Sequence, residues 1–293
     1  MALRVVHRTE YAYESAVSAS YGQLYLLPRD AVGQTVTSTK VEIDPRPDSY
    51  SEFVDFFGNR AANFSVLRRH RSLVVTTSSI VDVSARRPPD LFSGSLPWDE
   101  SMAWLHADGD PTAFEMRQFV LDSPAVPASV ATRAYAEPSF PPGRPLLEAL
   151  ADLNARIHAD IRYKPGTTSL VTTPDEVLTE RKGVCQDFAH LAVACLRSMG
   201  LPARYVSGYL ETLPPPGKAK LQGADASHAW LSSHVPGIGW VDLDPTNNCF
   251  VGERHVTTAW GRDYTDVSPL KGVIFTEAKS NTMTVSVDVS PAA

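Results

Sequence analysis

The sequence predicts an α+β protein: a β-sandwich-like domain first, then a core of helices packed on an antiparallel sheet. Three patterns carry that expectation. Residues 1 to about 90 alternate apolar and polar side chains with a period of two. Two later stretches place apolar residues at three- and four-residue steps, and two strand-like runs flank a Pro/Gly turn near Pro236.

The first domain, residues 1–90, opens on Leu3-Val5-His7-Thr9-Tyr11-Tyr13 and continues with Thr35 to Ile43 and Phe53-Asp55-Phe57. Such alternation sorts side chains onto the two faces of a pleated strand. Gly58-Asn59-Arg60 marks a hairpin turn into Ala61 to Leu67, and Ser72 to Val83 is a further β-branched run that Pro88-Pro89 closes. Residues 91–144 read as a helical linker region divided by prolines at 124, 127, 138, 141 and 142. The core, residues 145–262, begins with a helix whose Leu146, Leu147, Leu150, Leu153, Ile157 and Ile161 share one side. A second helix starts at Cys185, with Phe188, Leu191, Ala192, Cys195, Leu196 and Met199 on its buried stripe. Gly200 offers a left-handed cap and Pro202 stops it. Residues 263–293 form a C-terminal β extension, where Thr282 to Val289 alternates again and is expected to return to the N-terminal sheet.

The chemistry concentrates in Gly183-Val184-Cys185-Gln186-Asp187-Phe188-Ala189-His190. A thiol on the first turn of a helix meets free backbone N–H groups and the positive end of the helix dipole, which favour the thiolate, the nucleophilic form. A buried structural cysteine is the alternative for this helix taken alone. The runs His228-Ala229-Trp230-Leu231-Ser232-Ser233-His234 and Trp240-Val241-Asp242-Leu243-Asp244-Pro245-Thr246 then read as a hairpin. A turn centred on Pro236 sets His228 opposite Asp244, with Cβ atoms about 4.5–5.5 Å apart. A slipped register would leave Asp242 as the substitute, since it shares the same face. Together Cys185, His228 and Asp244 make a nucleophile, a base and a group that orients the base, suited to acyl transfer through a thioester. The Cys185 backbone N–H would stabilise the oxyanion, with Tyr163 or Gln186 as the second donor.

Other residues are set against plainer readings. Trp230, Tyr209 and Trp240 either line the acyl-donor groove or fill a core. His190, five positions after Cys185, falls on a different helix face and is expected to pack or hydrogen-bond. His234 sits at the turn end and reads as surface. Cys195 belongs to the buried stripe, and Cys249 reads as a spare thiol. No metal site is expected, because paired Cys-x-x-Cys or His-x-x-x-His spacing is missing. The Leu213 to Gly223 loop, just before His228, is placed to shape the cleft.

Four blocks in one order resemble the transglutaminase-like superfamily of papain-fold enzymes, particularly its microbial branch. They are Gly183-Val184-Cys185-Gln186-Asp187-Phe188-Ala189, Gly200-Leu201-Pro202-Ala203-Arg204-Tyr205-Val206-Ser207-Gly208-Tyr209, His228-Ala229-Trp230, and Gly239-Trp240 with Asp244-Pro245-Thr246. The resemblance implies a papain-like core in which Cys185 is nucleophile, His228 base and Asp244 orienter, and it favours Asp244 over Asp242. It also implies a bacterial-type N-terminal β domain and a peptide or protein amide substrate. Hydrolysis (peptidase, amidase or deamidase) and transamidation both remain open, as does a catalytically silent binding module. No acidic loop resembles a calcium cage, so no calcium dependence is expected, nor any cofactor.

Composition narrows the class. The 293 residues are 43% hydrophobic, enough for a substantial core, and the formal charge of −6 with no basic cluster argues against a nucleic-acid surface. There is no apolar run long enough to cross a bilayer, so no membrane partner is expected. Met1 to His7 lacks a signal-peptide core, and three cysteines, an odd number, suggest a reducing compartment. Cytoplasm is the expected location.

Overall fold

A computed structural model of the protein describes residues 1–84, 94–107, 109–166, 169, 171–212, 227–277 and 280–292. The Pro88-Pro89 boundary and the Leu213 to Gly223 loop lie outside the described residues.

The first six strands are β1 (Ala2–Val17), β2 (Ala19–Leu24), β3 (Gln34–Asp44), β4 (Ser49–Val54), β5 (Arg60–Val66) and β6 (His70–Val83). Helices α1 (Trp98–His106), α2 (Pro111–Met116), α3 (Val130–Ala136) and α4 (Leu146–Asp160) follow, then β7 (Arg162–Tyr163), α5 (Pro174–Glu180), β8 (Lys182–Gly183) and α6 (Cys185–Ser198). The chain ends in strands: β9 (Ala203–Leu210), β10 (Ser227–Val235), β11 (Gly239–Asp244), β12 (Cys249–Phe250), β13 (His255–Gly261), β14 (Leu270–Phe275) and β15 (Asn281–Pro291).

Two four-stranded sheets, ordered β15-β1-β6-β3 and β14-β2-β5-β4, make the sandwich. Their alternation buries Tyr13, Leu24, Phe64, Leu73 and Val75 in one interior. The C-terminal strands β14 and β15 therefore pair into this sandwich. β15 runs along β1 from Leu3↔Pro291 to Tyr13↔Asn281, and β14 pairs with β2.

The core sheet is antiparallel throughout, in the order β12-β11-β10-β9-β13. One face carries Leu231, Val235, Val241 and Leu243 against Leu191, Cys195 and Leu196 of α6, with Leu147, Leu150 and Leu153 of α4 completing the cluster. Each such leucine contributes about 1.5–3 kcal/mol of burial, so this layer holds the helices in place. The strands' period of two sends His228, Trp230 and Asp244 to the opposite face.

The hairpin register differs from the expectation. Leu231 pairs with Leu243 and Val235 with Gly239, so the turn centres on Gly237, one residue later than Pro236. A three-residue turn with Gly237 at φ 78° is the cause. Asp244 is consequently a diagonal neighbour of His228, within reach of a side chain. Parity is preserved, and Asp242 faces Ser232 further along.

Candidate active site

The start of α6 is fixed by what precedes it. Arg181, not Gly183, takes the left-handed conformation (φ 53°) that ends α5. Gly183 serves close approach: a Cβ there would lie 2.7 Å from Asp187 Cβ. Asp187 folds back through that space and accepts the Val184 N–H at 2.7 Å, so the first turn is locked and Cys185 stands at its opening. β7 lies beside β8 with Tyr163 opposite Gly183, which carries the tyrosine toward the thiol.

His228 is the second residue of β10 and Asp244 the last of β11. The imidazole Nε2 donates to Asp244 Oδ2 at 2.7 Å, which leaves Nδ1 for the nearby Cys185 thiol. Burial opposes a charge on His228, but the bonds to Asp244 and Cys185 outweigh it and push the imidazole up to about 10. Asp244 is fully buried, which alone would raise its carboxyl; donors reverse that and hold it well below the usual carboxylate range. Oδ2 also accepts from Asn247 Nδ2 at 2.7 Å and His255 Nε2 at 3.2 Å, while Oδ1 accepts the Thr246 N–H at 2.9 Å and the Asn247 N–H at 3.2 Å.

His255 was not anticipated. It opens the β-branched run of β13, but nothing in its local pattern names a partner three strand positions away in the sheet order. Its Nδ1 accepts the Gly252 N–H at 3.3 Å, so the ring proton lies on Nε2 and points at the carboxylate. His228, Asp244 and His255 bring their ligand atoms within 4.8 Å of one another, a set of two imidazoles and a carboxylate that invites a divalent metal. The outer contacts do not suit one. Ligation through Nε2 would move the His255 proton to Nδ1, against the Gly252 N–H that already points there. The arrangement fits hydrogen bonding.

Tyr163 is 52% exposed and its ring lies 6.4 Å from Phe188; burial and the nearby Cys185 raise its phenol, which keeps the O–H as a donor. Gln186 lies partly exposed on the first turn of α6. The aromatic groove is corrected at two of its three residues: Trp230 and Tyr209 are sealed, while Trp240 stays partly exposed. Trp230 is 0% exposed and packs against Val206 and Val251. Tyr209 is 2% exposed, hydrogen-bonded to His7 Nδ1 at 3.1 Å and set among Leu3, Val5, Val81 and Val287 of the sandwich. Trp240 meets Phe119 edge-on at 5.1 Å under the Arg204 guanidinium, 4.0 Å from its ring centre. Strand parity puts Trp230 and Trp240 on one face of the sheet and Tyr209 on the other.

His234 is likewise buried, not on the surface, stacked on Trp104 with centroids 5.4 Å apart. His190 accepts the Tyr264 N–H at 3.1 Å and packs against Tyr205; burial lowers it to about 4, so it stays neutral. Cys195 is sealed in the core, and Cys249 faces Asp244 across β12, its thiol pushed up to about 11 by burial and then by Asp244. Cys185 itself touches a cluster built by both domains, with Tyr25, Ala61 and Phe53 from the sandwich and Ala189, Tyr205 and Tyr264 from the core.

Comparison with known proteins agrees with this architecture. Residues 3–82 match the bacterial transglutaminase-like N-terminal region, and residues 133–245 match the transglutaminase-like superfamily. An uncharacterized protein of Mycobacterium tuberculosis strain H37Rv is 45% identical over 98% of this chain and 92% of its own length. A protein-glutamine gamma-glutamyltransferase of Pseudomonas aeruginosa is 31% identical over 36% of this chain and 18% of its own length. The crystal structure of a candidate cysteine protease from Cytophaga hutchinsonii shares the fold, with a TM-score of 0.75 at 21% identity over 100% of this chain and 92% of that one. The chain belongs to the transglutaminase-like superfamily, whose members typically perform cysteine-dependent acyl transfer. Among the described residues, no helix is long and apolar enough to cross a membrane.

Proposed function

We propose that this chain is a cysteine-dependent acyl-transfer enzyme acting on amide bonds of peptides or proteins. The observation that carries the reading is the convergence of Cys185, His228 and Asp244 from three separate elements, with the imidazole held by the carboxylate at 2.7 Å. His228 Nδ1 takes the Cys185 proton, and the sulfur attacks the amide carbonyl carbon. The oxyanion so formed meets the first-turn amides of α6, which have no earlier carbonyl in the helix, with Tyr163 or Gln186 as a side-chain donor. As the C–N bond breaks, His228 returns its proton to the leaving amine and a thioester remains on Cys185. Water, deprotonated by the same imidazole, completes hydrolysis; a primary amine in its place gives transamidation. Water needs no dedicated amine pocket, and we favour hydrolysis for that reason. Asp244, already bonded by five donors, orients and balances the imidazolium without taking its proton. All three cysteines are free, which supports our placing the enzyme in the reducing cytoplasm.

Mass spectrometry of products from a glutamine-containing peptide library, with and without a primary amine, separates the outcomes. Ammonia release marks deamidation, amine adducts transamidation, and shorter chains peptidase activity. No product in any arm, together with a Cys185 that alkylates no faster than an ordinary thiol, would leave a silent binding module in its place.

A further inference from the structure

We propose that His255 is a positioning residue of this site, fixing the Asp244 carboxylate so that it meets His228 in one orientation; the inference rests on the acyl-transfer reading above. Three of the donors on Asp244, the Thr246 N–H, the Asn247 N–H and Asn247 Nδ2, belong to the turn that directly follows it and move with it. His255 is different. It arrives from β13, beyond β10 and β9 in the sheet, and donates to Oδ2, the oxygen that His228 also uses.

The reach across the sheet face is built in. At Gly208 of β9 the face is bare: a Cβ would lie 2.2 Å from the Val256 carbonyl oxygen and 2.4 Å from Trp230 Cη2. Trp230 occupies that space and meets His255 edge-on, with centroids 5.4 Å apart and planes at 83°, and His228 at 6.1 Å. The indole thereby spaces the two imidazoles on either side of one carboxylate oxygen. The Gly252 N–H on Nδ1 fixes the His255 tautomer, so its N–H can only be offered to Asp244. A buried histidine placed for packing alone would need neither that tautomer nor that aim. Without this strut the carboxylate is tied only to its own turn, the imidazolium loses a fixed counter-charge, and Cys185 gives up its proton less readily.

The test is iodoacetamide alkylation of Cys185, read by peptide mass spectrometry. His255→Ala should slow it about tenfold near pH 6 and leave it unchanged near pH 10, where thiols ionise without help. Added imidazole should restore the lost rate, since a surface hollow of about 480 Å³ opens onto His255 beside Cys249, Glu211 and Arg254. His255→Gln, which keeps a donor, should stay within about threefold of wild type. His255→Phe keeps the ring against Trp230 without a donor, and serves as the donor-free variant should His255→Ala fail to fold. A wild-type profile in the donor-free variant, or an equal loss at both pH values that imidazole does not reverse, overturns the proposal. A wild-type Cys185 that is itself unreactive near pH 6 defeats the acyl-transfer reading instead, a separate result.

Discussion

The opening of α6 meets a histidine from β10 beside its cysteine, the middle carries a cysteine and a histidine of its own, and the two settings put these residue types to opposite use. At the opening, Cys185 lies half-buried beside His228, whose imidazole is raised to about 10 by a buried carboxylate. Along the middle, Cys195 is sealed in hydrocarbon with its thiol pushed far up, and His190 is lowered to about 4 by burial. Residue type does not separate the two histidines, and both are largely buried. A directly bonded carboxylate does: at His190 burial outweighs the pull of Asp263, whereas at His228 the hydrogen bond to Asp244 on the neighbouring strand overturns it.

The largest test of that contrast removes His228, the proposed base. His228→Ala should lower turnover about a millionfold, while Asp244→Asn, which keeps the shape and loses the charge, should cost about ten-thousandfold. Steady-state turnover on any amide substrate identified by the product screen checks both, and equal losses would mean that Asp244 does more than orient. Gly208→Ala comes next. The added methyl collides with Val256 and Trp230, and the melting temperature should fall by the equivalent of about 1–3 kcal/mol of overpacking, with activity falling alongside.

Melting against pH separates the two histidines. His228 is raised, so its stabilisation is complete below about 6.5 and fades as pH climbs toward about 10; His228→Ala should flatten that alkaline decline. His190 is lowered, so its native state is favoured above about 6.5 and loses ground as pH falls toward about 4. His190→Phe should reduce the acid-side decline and leave the alkaline side alone. If the two variants change the same limb, the contrast fails. The smallest effect belongs to Cys249→Ala: its thiol is already raised to about 11, so Cys185 alkylation should change less than about twofold.

Much of this was legible in the residues. The stripe of α6 placed Cys185 at a helix start, because an apolar period of 3.6 and a capping glycine mark both ends. Strand parity put His228 and Asp244 on one face, and it survived a register that moved by one turn position. What escaped detection depended on distant chain segments. His255 reaches Asp244 only because β13 docks on β9, a pairing no local pattern announces. The sequence leaves Tyr209 open between groove and core, because it shows a half-polar strand and not the valines of β6 and β15 that cover the ring. His234 escaped for the same reason, since Trp104 lies far away along the chain.

The seam around Tyr209 and Cys185 bears on how the molecule comes apart. Valines of the sandwich seal one end of the core sheet, and Phe53 reaches the cluster that Cys185 touches. Pulling the two domains apart would expose a greasy flank on each, prone to clumping. Calorimetry of the intact chain should accordingly record a single melting peak, the β domain and the start of α6 giving way together.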